Sequence, residues 1–79
     1  MATSSGRARH RGKILAPAVE GMGYRLDTGD AQFELVGLAK PQFLAHAVGT
    51  ELEFEGAVEP ATWDGQLPRL VVRTVRAPR

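Results

Sequence analysis

The sequence predicts a small all-β protein in which five short strands form a Greek-key barrel with one short α-helix between strands 3 and 4. Three observations indicate this class. The chain of 79 residues holds nine glycines and five prolines, which divide it into short segments. Most of these segments alternate apolar and polar residues, as strands with one buried face do. One segment instead carries apolar residues at helical spacing, so a single helix is expected.

Three strands are predicted in the first half of the chain. The first spans residues 11–19 and carries Pro17, which marks a bulge or an edge position. The second and third span 23–27 and 31–36, and Gly29 suits the tight turn between them because such turns need a positive φ. The residues of this hairpin that are predicted to face the core are Tyr24, Leu26, Phe33 and Leu35; those predicted to face outward are Arg25, Asp27, Gln32 and Glu34.

The single helix is predicted over residues 40–48. Pro41 suits its first turn, and Gly49 suits the position that ends it. We expect a helix of about two turns that packs its apolar face on one end of the barrel. That face comprises Phe43, Leu44, Ala47 and Val48.

The last two strands are predicted over residues 50–58 and 69–75. Residues 50–58 alternate strictly between apolar and acidic side chains, which is the clearest strand pattern in the chain. A loop around Trp63 separates the two strands. Five residues are expected to meet in one core cluster: Phe33, Leu52, Phe54, Leu70 and Val72.

The order of these elements is that of the OB fold, a small five-stranded Greek-key barrel. An SH3-like barrel is the alternative, but it has no helix at this place. A chain of this length has room for one hydrophobic core. We therefore expect a flexible basic N-terminal arm at 1–10, a single barrel domain at 11–76 and a C-terminal tail at 77–79.

Short motifs of turn glycines and alternating core residues cover nearly the whole chain after residue 11. They are GKI at 12–14, VEGMGYRLDT at 19–28, FELVG at 33–37, Gly49, LEFEG at 52–56 and LVV at 70–72. Together they resemble a family of small bacterial OB-fold-like domains of unknown function. The resemblance implies the fold, and it brings neither a catalytic residue nor a known ligand.

Charge is distributed unevenly although the formal net charge is only +1. The two ends of the chain are basic and contain no acid, and all nine acids lie between them. One interpretation is an electrostatic footprint for nucleic-acid phosphates. The basic residues of the ends are Arg7, Arg9, Arg11, Lys13, Arg69, Arg73, Arg76 and Arg79.

A second interpretation is neutralisation within the fold. In an OB barrel the fourth strand lies between the first and the fifth, so its acids face basic residues on both sides. Outward Glu51, Glu53 and Glu55 would then lie beside Arg11 and Lys13 on one flank and beside Arg69 and Arg73 on the other. This leaves the tail residues Arg7, Arg9, Arg76 and Arg79 for a partner.

Among the aromatic residues, Trp63 alone is placed for stacking on a ligand. It lies in the loop between the fourth and fifth strands, a loop that binds nucleic acid in many OB folds. The alternative is a lid in which the indole packs over the barrel end. The other aromatic residues are interpreted as packing: Tyr24, Phe33, Phe43 and Phe54.

The leading functional hypothesis is weak binding of single-stranded nucleic acid without sequence preference. Mixed charge on the second and third strands argues against a strongly basic groove, because Arg25 and Glu34 are expected to form a cross-strand pair. The alternative is a protein-interaction or structural module, either a homo-oligomer or a subunit of a larger complex. The candidate nucleic-acid-binding residues are Arg7, Arg9, Arg11, Lys13, Arg25, Trp63, Arg69, Arg73 and Arg76.

The residue inventory predicts no enzyme, no metal site and no cofactor. There is no cysteine, and the two histidines lie far apart, with His10 in the predicted arm and His46 on the helix surface. No glycine-rich phosphate loop with a lysine is present. We expect a cytoplasmic location and no membrane association, because the N-terminus lacks an apolar signal stretch and no apolar run approaches bilayer length.

Overall fold

Five strands and one short 3-10 helix follow one another in the computed structural model, which describes residues 8–77 of the chain. They are β1 (Ala8–Leu15), β2 (Arg25–Asp27), β3 (Gln32–Val36), the 3-10 helix (Pro41–His46), β4 (Glu51–Glu59) and β5 (Arg69–Arg76). Within this range, none of the helical structure has the length and apolar character needed to cross a bilayer.

The strands form one closed sheet in the order β1-β2-β3-β5-β4, and β4 pairs again with β1. Neighbouring strands are antiparallel except β3 and β5, which run parallel. Closure gives each strand two partners, which removes the exposed edges that would otherwise promote aggregation. The predicted all-β class with five strands in a closed sheet is confirmed.

The predicted range of the first strand is wrong. β1 begins at Ala8 and ends at Leu15, two residues before Pro17. Its first residues pair with β4, where Arg9 lies opposite Glu55. Proline lacks the N–H that a strand residue donates, which fits an end before this position. Part of the predicted basic arm therefore belongs to the sheet, and residues 1–7 lie outside the described range.

The helix between β3 and β4 is a 3-10 helix, so the predicted two-turn α-helix is wrong. It begins at Pro41 without a side-chain cap on its free N–H groups, and it buries only Leu44. Phe43 is 43% exposed, so its assignment to the core is also wrong. Side chains three residues apart eclipse one another in a 3-10 helix, so a helix of six residues presents few side chains to the core. The predicted stop at Gly49 is consistent with its φ of 88°.

The core is one cluster of apolar side chains inside the closed sheet. Of the five residues predicted to meet there, Phe54, Leu70 and Val72 are buried, and Phe33 and Leu52 pack against them from partly buried positions. The predicted cluster is confirmed. The other buried members are Ile14, Leu26, Leu35 and Leu44.

One polar side chain, His10, shares the inner face of the sheet. It alternates with exposed Arg11 on β1 and lies opposite Phe54 of β4. Its ring centroid is 5.2 Å from that of Phe33. The Nε2 atom is buried and has no hydrogen-bond partner among the described residues. The predicted position of His10 in a flexible arm is therefore wrong. His10 is a strand residue with an unsatisfied ring nitrogen.

Replacing His10 by phenylalanine should stabilise the protein. Phenylalanine keeps a ring beside Phe33 and removes a buried polar atom whose lost hydrogen bond costs about 1–3 kcal/mol. At about 4–8 °C per kcal/mol for a domain of this size, thermal unfolding followed by circular dichroism should show a clear increase in Tm. The matched control is His46→Phe, because His46 is exposed and has no such deficit. Equal Tm values for wild type and His10→Phe would contradict this account.

Candidate functional site

A cleft of about 500 Å³ lies between the β1–β2 and β4–β5 loops. We call it the loop cleft. Val19 and Met22 line it from the first loop, and Trp63 and Leu67 line it from the second. Its volume lies within the range of about 300–1,000 Å³ that is typical of small-ligand sites.

The rim of the loop cleft is unusually apolar for an exposed surface. Trp63 is 63% exposed, and Val19 and Met22 are also exposed. Three large apolar side chains that border one cavity and remain open to solvent are typical of a contact surface. Of the two interpretations of Trp63, the structure supports the exposed side chain and contradicts the packed lid.

Internal hydrogen bonds fix the two loops that carry these side chains. In the β1–β2 loop, the N–H of Met22 donates to the carbonyl of Val19 at 3.0 Å around Gly21, whose φ is 91°. In the β4–β5 loop, the side-chain oxygen of Gln66 accepts from the backbone N–H of Thr62 at 2.7 Å and from its hydroxyl at 3.0 Å. Both sides of the cleft are therefore held in place before a ligand arrives.

A partly buried carboxylate, that of Glu34, lines the loop cleft. Its Oε2 accepts a hydrogen bond from the N–H of Gly23 at 3.0 Å, and its Oε1 lies 3.7 Å from Nε of Arg69. The parallel pairing of β3 with β5 brings these two residues together, because Glu34 lies opposite Arg69 in register. The ion pair is thus a direct result of the strand order.

Arg25 also lines the loop cleft, but its guanidinium is held by other groups. Nε and Nη2 donate to the carbonyl oxygen of Ala16 at 3.0 and 2.9 Å, and Nη1 donates to Gln32 at 3.1 Å. Arg25 lies opposite Glu34 in the backbone register, as predicted. The side-chain ion pair of Glu34 nevertheless forms with Arg69, so the predicted Arg25–Glu34 side-chain pair is wrong.

The cationic residues of β1 lie away from the loop cleft, against the acids of β4. Arg9, Arg11 and Lys13 are opposite Glu55, Glu53 and Glu51, in that order. Nε of Arg11 is 3.4 Å from a carboxylate oxygen of Glu51, and both side chains are about half exposed. On this flank the predicted placement of Arg11 and Lys13 beside the acids of β4 is confirmed, and one ion pair, Arg11–Glu51, forms there.

The basic residues of β5 are arranged differently from the prediction. Arg69 lies opposite Glu59, and Arg76 lies opposite Glu53. Arg73 is the extra residue of a bulge, because Gly56 pairs with Val72 and the preceding residue of β4 pairs with Thr74. The predicted placement of Arg69 and Arg73 beside the three outward acids is therefore wrong.

Three of the nine predicted site residues meet in one place. Arg25, Trp63 and Arg69 line the loop cleft. Five others lie on the strands β1 and β5, and Arg7 lies outside the described residues. Sequence reasoning missed the apolar partners of Trp63 on the β1–β2 loop. A methionine between two glycines, as at Met22, was the available signal, because such a short turn offers a large side chain little to pack against.

Fold and cleft together define a small protein with a closed five-stranded sheet and an apolar cleft between two of its loops. Comparison with known protein families, with curated proteins and with solved structures finds no match for this chain. Among residues 8–77, no three His, Cys, Asp or Glu side chains are grouped so that they could hold a metal ion. The chemistry of the cleft itself is therefore the basis for any functional assignment.

Proposed function

We propose that this chain is a non-catalytic OB-fold module that binds single-stranded nucleic acid weakly through the loop cleft. The OB assignment is supported by the strand order, by the one parallel pair between β3 and β5, and by the short helix that fills one end. In OB folds the β1–β2 and β4–β5 loops, with the faces of strands 2 and 3, bind oligonucleotides. The loop cleft is lined by residues of the same two loops of this chain, which supports the proposal.

The observation that carries the proposal is the exposed indole of Trp63 at the rim of a cleft. Every nucleobase has a flat aromatic face, and stacking on an aromatic side chain contributes about 1–3 kcal/mol per base. Met22 and Val19 border the same cavity and offer apolar contact to the other face of a base. Stacking of this kind accepts all bases.

Few cationic side chains are available to contact phosphate, which is why the proposed binding is weak. Arg69 borders the loop cleft with about half of its side chain exposed, and Arg73 is exposed further along β5. The cations of β1 face acids of β4, and Arg25 is hydrogen-bonded within the fold. If the protein neutralises one or two phosphates, the logarithm of the binding constant should fall linearly with the logarithm of the salt concentration. The expected slope is about −0.7 for each phosphate neutralised.

The substitution Trp63→Ala should weaken binding about fivefold or more, in line with the loss of one stacked base. It should leave Tm nearly unchanged because the ring is exposed. Binding is measured by fluorescence anisotropy of a labelled single-stranded oligonucleotide at low and at moderate salt. Trp63 is the one tryptophan of the chain, so quenching of the intrinsic fluorescence reports stacking at this site directly.

The matched control is Phe43→Ala, which removes another exposed aromatic ring outside the loop cleft. This variant should bind like the wild type. Equal affinity of Trp63→Ala and wild type would contradict the proposal, as would the absence of binding at low salt. In the second case the apolar rim would support the protein-interaction hypothesis, because a protein partner could cover the same side chains.

A further inference from the structure

The loop cleft contains a hydrogen-bond acceptor that base stacking does not use. The carboxylate of Glu34 is only 15% exposed and borders the cavity. A carboxylate has about four acceptor positions. One is filled by the N–H of Gly23 at 3.0 Å, and the second oxygen has only the 3.7 Å contact with Arg69. Acceptor capacity on both oxygens therefore remains for a ligand.

Hydrogen-bond donors lie next to this acceptor. Nε of Arg69 faces Glu34, whereas its terminal Nη atoms make no hydrogen bond to any residue between 8 and 77. Gln66 also lines the cleft, and because its oxygen accepts from Thr62, its amide nitrogen is left as a donor. The polar part of the cleft thus presents two acceptor oxygens with the guanidinium of Arg69 beside them, and the amide of Gln66 lies in the same lining.

Guanine is the base whose edge complements this arrangement. Its N1–H and its 2-amino group are adjacent donors that can meet the two oxygens of one carboxylate, and O6 next to them is an acceptor. Thymine and uracil have a single N–H between two carbonyl oxygens, which would face the carboxylate with their lone pairs. Cytosine and adenine each offer one amino donor beside a ring acceptor. Unpaired bases in single strands expose these edges for recognition.

We propose that the loop cleft prefers an unpaired guanine. Glu34 accepts hydrogen bonds from N1–H and the 2-amino group, Arg69 donates to O6, and the base stacks on Trp63. This inference rests on the proposed function and adds one selective position to contacts that are otherwise tolerant of sequence.

The test compares single strands of thymidine that carry one central guanine, hypoxanthine, cytosine or adenine with a strand of thymidine alone. Guanine should bind about fivefold tighter than thymine or better, the lower end of the discrimination seen for a bidentate base contact. Hypoxanthine lacks only the 2-amino group of guanine and should lose most of this preference. This comparison uses the wild-type protein alone. Binding of the hypoxanthine strand as tight as that of the guanine strand would overturn the inference.

The variant Glu34→Gln replaces one acceptor oxygen by a donor and should remove the preference for guanine over thymine. The matched control is Glu51→Gln. Glu51 also forms an ion pair with an arginine, Arg11, at 3.4 Å, but it does not line the cleft. This control should keep the full preference. If Glu34→Gln does not fold, the hypoxanthine strand decides the question alone.

Failure of this inference and failure of the proposed function give different results. Equal binding of all strands, with loss of binding in Trp63→Ala, would overturn the guanine preference and leave the proposed function in place. Guanosine monophosphate binding as tightly as the guanine strand would keep the preference but contradict a nucleic-acid ligand. No binding of any strand would overturn both.

Discussion

The variant Phe54→Ala is expected to lose between about a quarter and all of the stability of the protein. Phe54 is fully buried near the middle of β4 and belongs to the core cluster. Truncation of a buried phenylalanine costs about 3–5 kcal/mol. The total stability of a chain of this length is only roughly 4–12 kcal/mol. Urea and thermal unfolding should show a loss of more than about 12 °C in Tm, if a transition remains visible at all.

The control for Phe54→Ala is the same chemical change at Phe43. That ring is 43% exposed on the 3-10 helix, so its removal leaves no closed cavity. The loss of stability should be about 0.5 kcal/mol, as for an ordinary surface substitution. The sequence assigned both rings to the core, whereas the structure buries only that of Phe54. Comparing the two variants therefore tests which ring belongs to the core. Equal losses for the two variants would contradict the core described here.

Strict alternation made β4 the most predictable element. Every second residue faces one side of a strand, so the pattern places Phe54 inward and its acidic neighbours outward without any tertiary information. The same reasoning failed at the start of β1. Arg9 and His10 have no apolar alternation of their own, and they enter the sheet because β4 lies beside them. A strand that depends on its partner in this way is not visible in a local pattern.

The helix shows a different limit of pattern reading. Apolar residues at helical spacing predict that a turn of helix faces the core, but over six residues they do not distinguish α from 3-10 geometry. Nor do they indicate how many side chains the end of the sheet can accept. Leu44 is the buried residue of the helix, and Phe43 remains exposed.

The candidate site was predictable as separate residues and not as a cavity. Trp63 and Arg69 stood out by residue type and position, but Glu34 was interpreted as a partner of Arg25. Its proximity to Arg69 depends on the parallel pairing of β3 with β5, two strands distant in sequence. Met22 and Trp63 likewise border one cleft only because the β1–β2 and β4–β5 loops lie next to each other. Such a convergence requires the strand order as well as the strands.

The variant Gly56→Ala should lose about 3 kcal/mol or more, at the upper end of the cost of overpacking. Gly56 is buried at the bulge between β4 and β5, and an added Cβ would collide with the backbone carbonyl of Val71. A side chain could rotate away from the added Cβ, but the backbone of a paired strand cannot. The two strands would therefore have to separate. Thermal unfolding should show the loss, and hydrogen exchange should show it concentrated in the amides of β5.

A second glycine substitution distinguishes this close approach from the general cost of replacing glycine. Gly29 has a φ of 96° in the β2–β3 turn, and no atom lies within 4 Å of a Cβ added there. Gly29→Ala should therefore cost only the strain of a left-handed alanine, about 1–2 kcal/mol. Gly12 meets the carbonyl of Asp27 as Gly56 meets that of Val71. At both glycines the backbone of the neighbouring strand occupies the place of a side chain, so full tolerance of alanine at Gly56 would contradict this close approach.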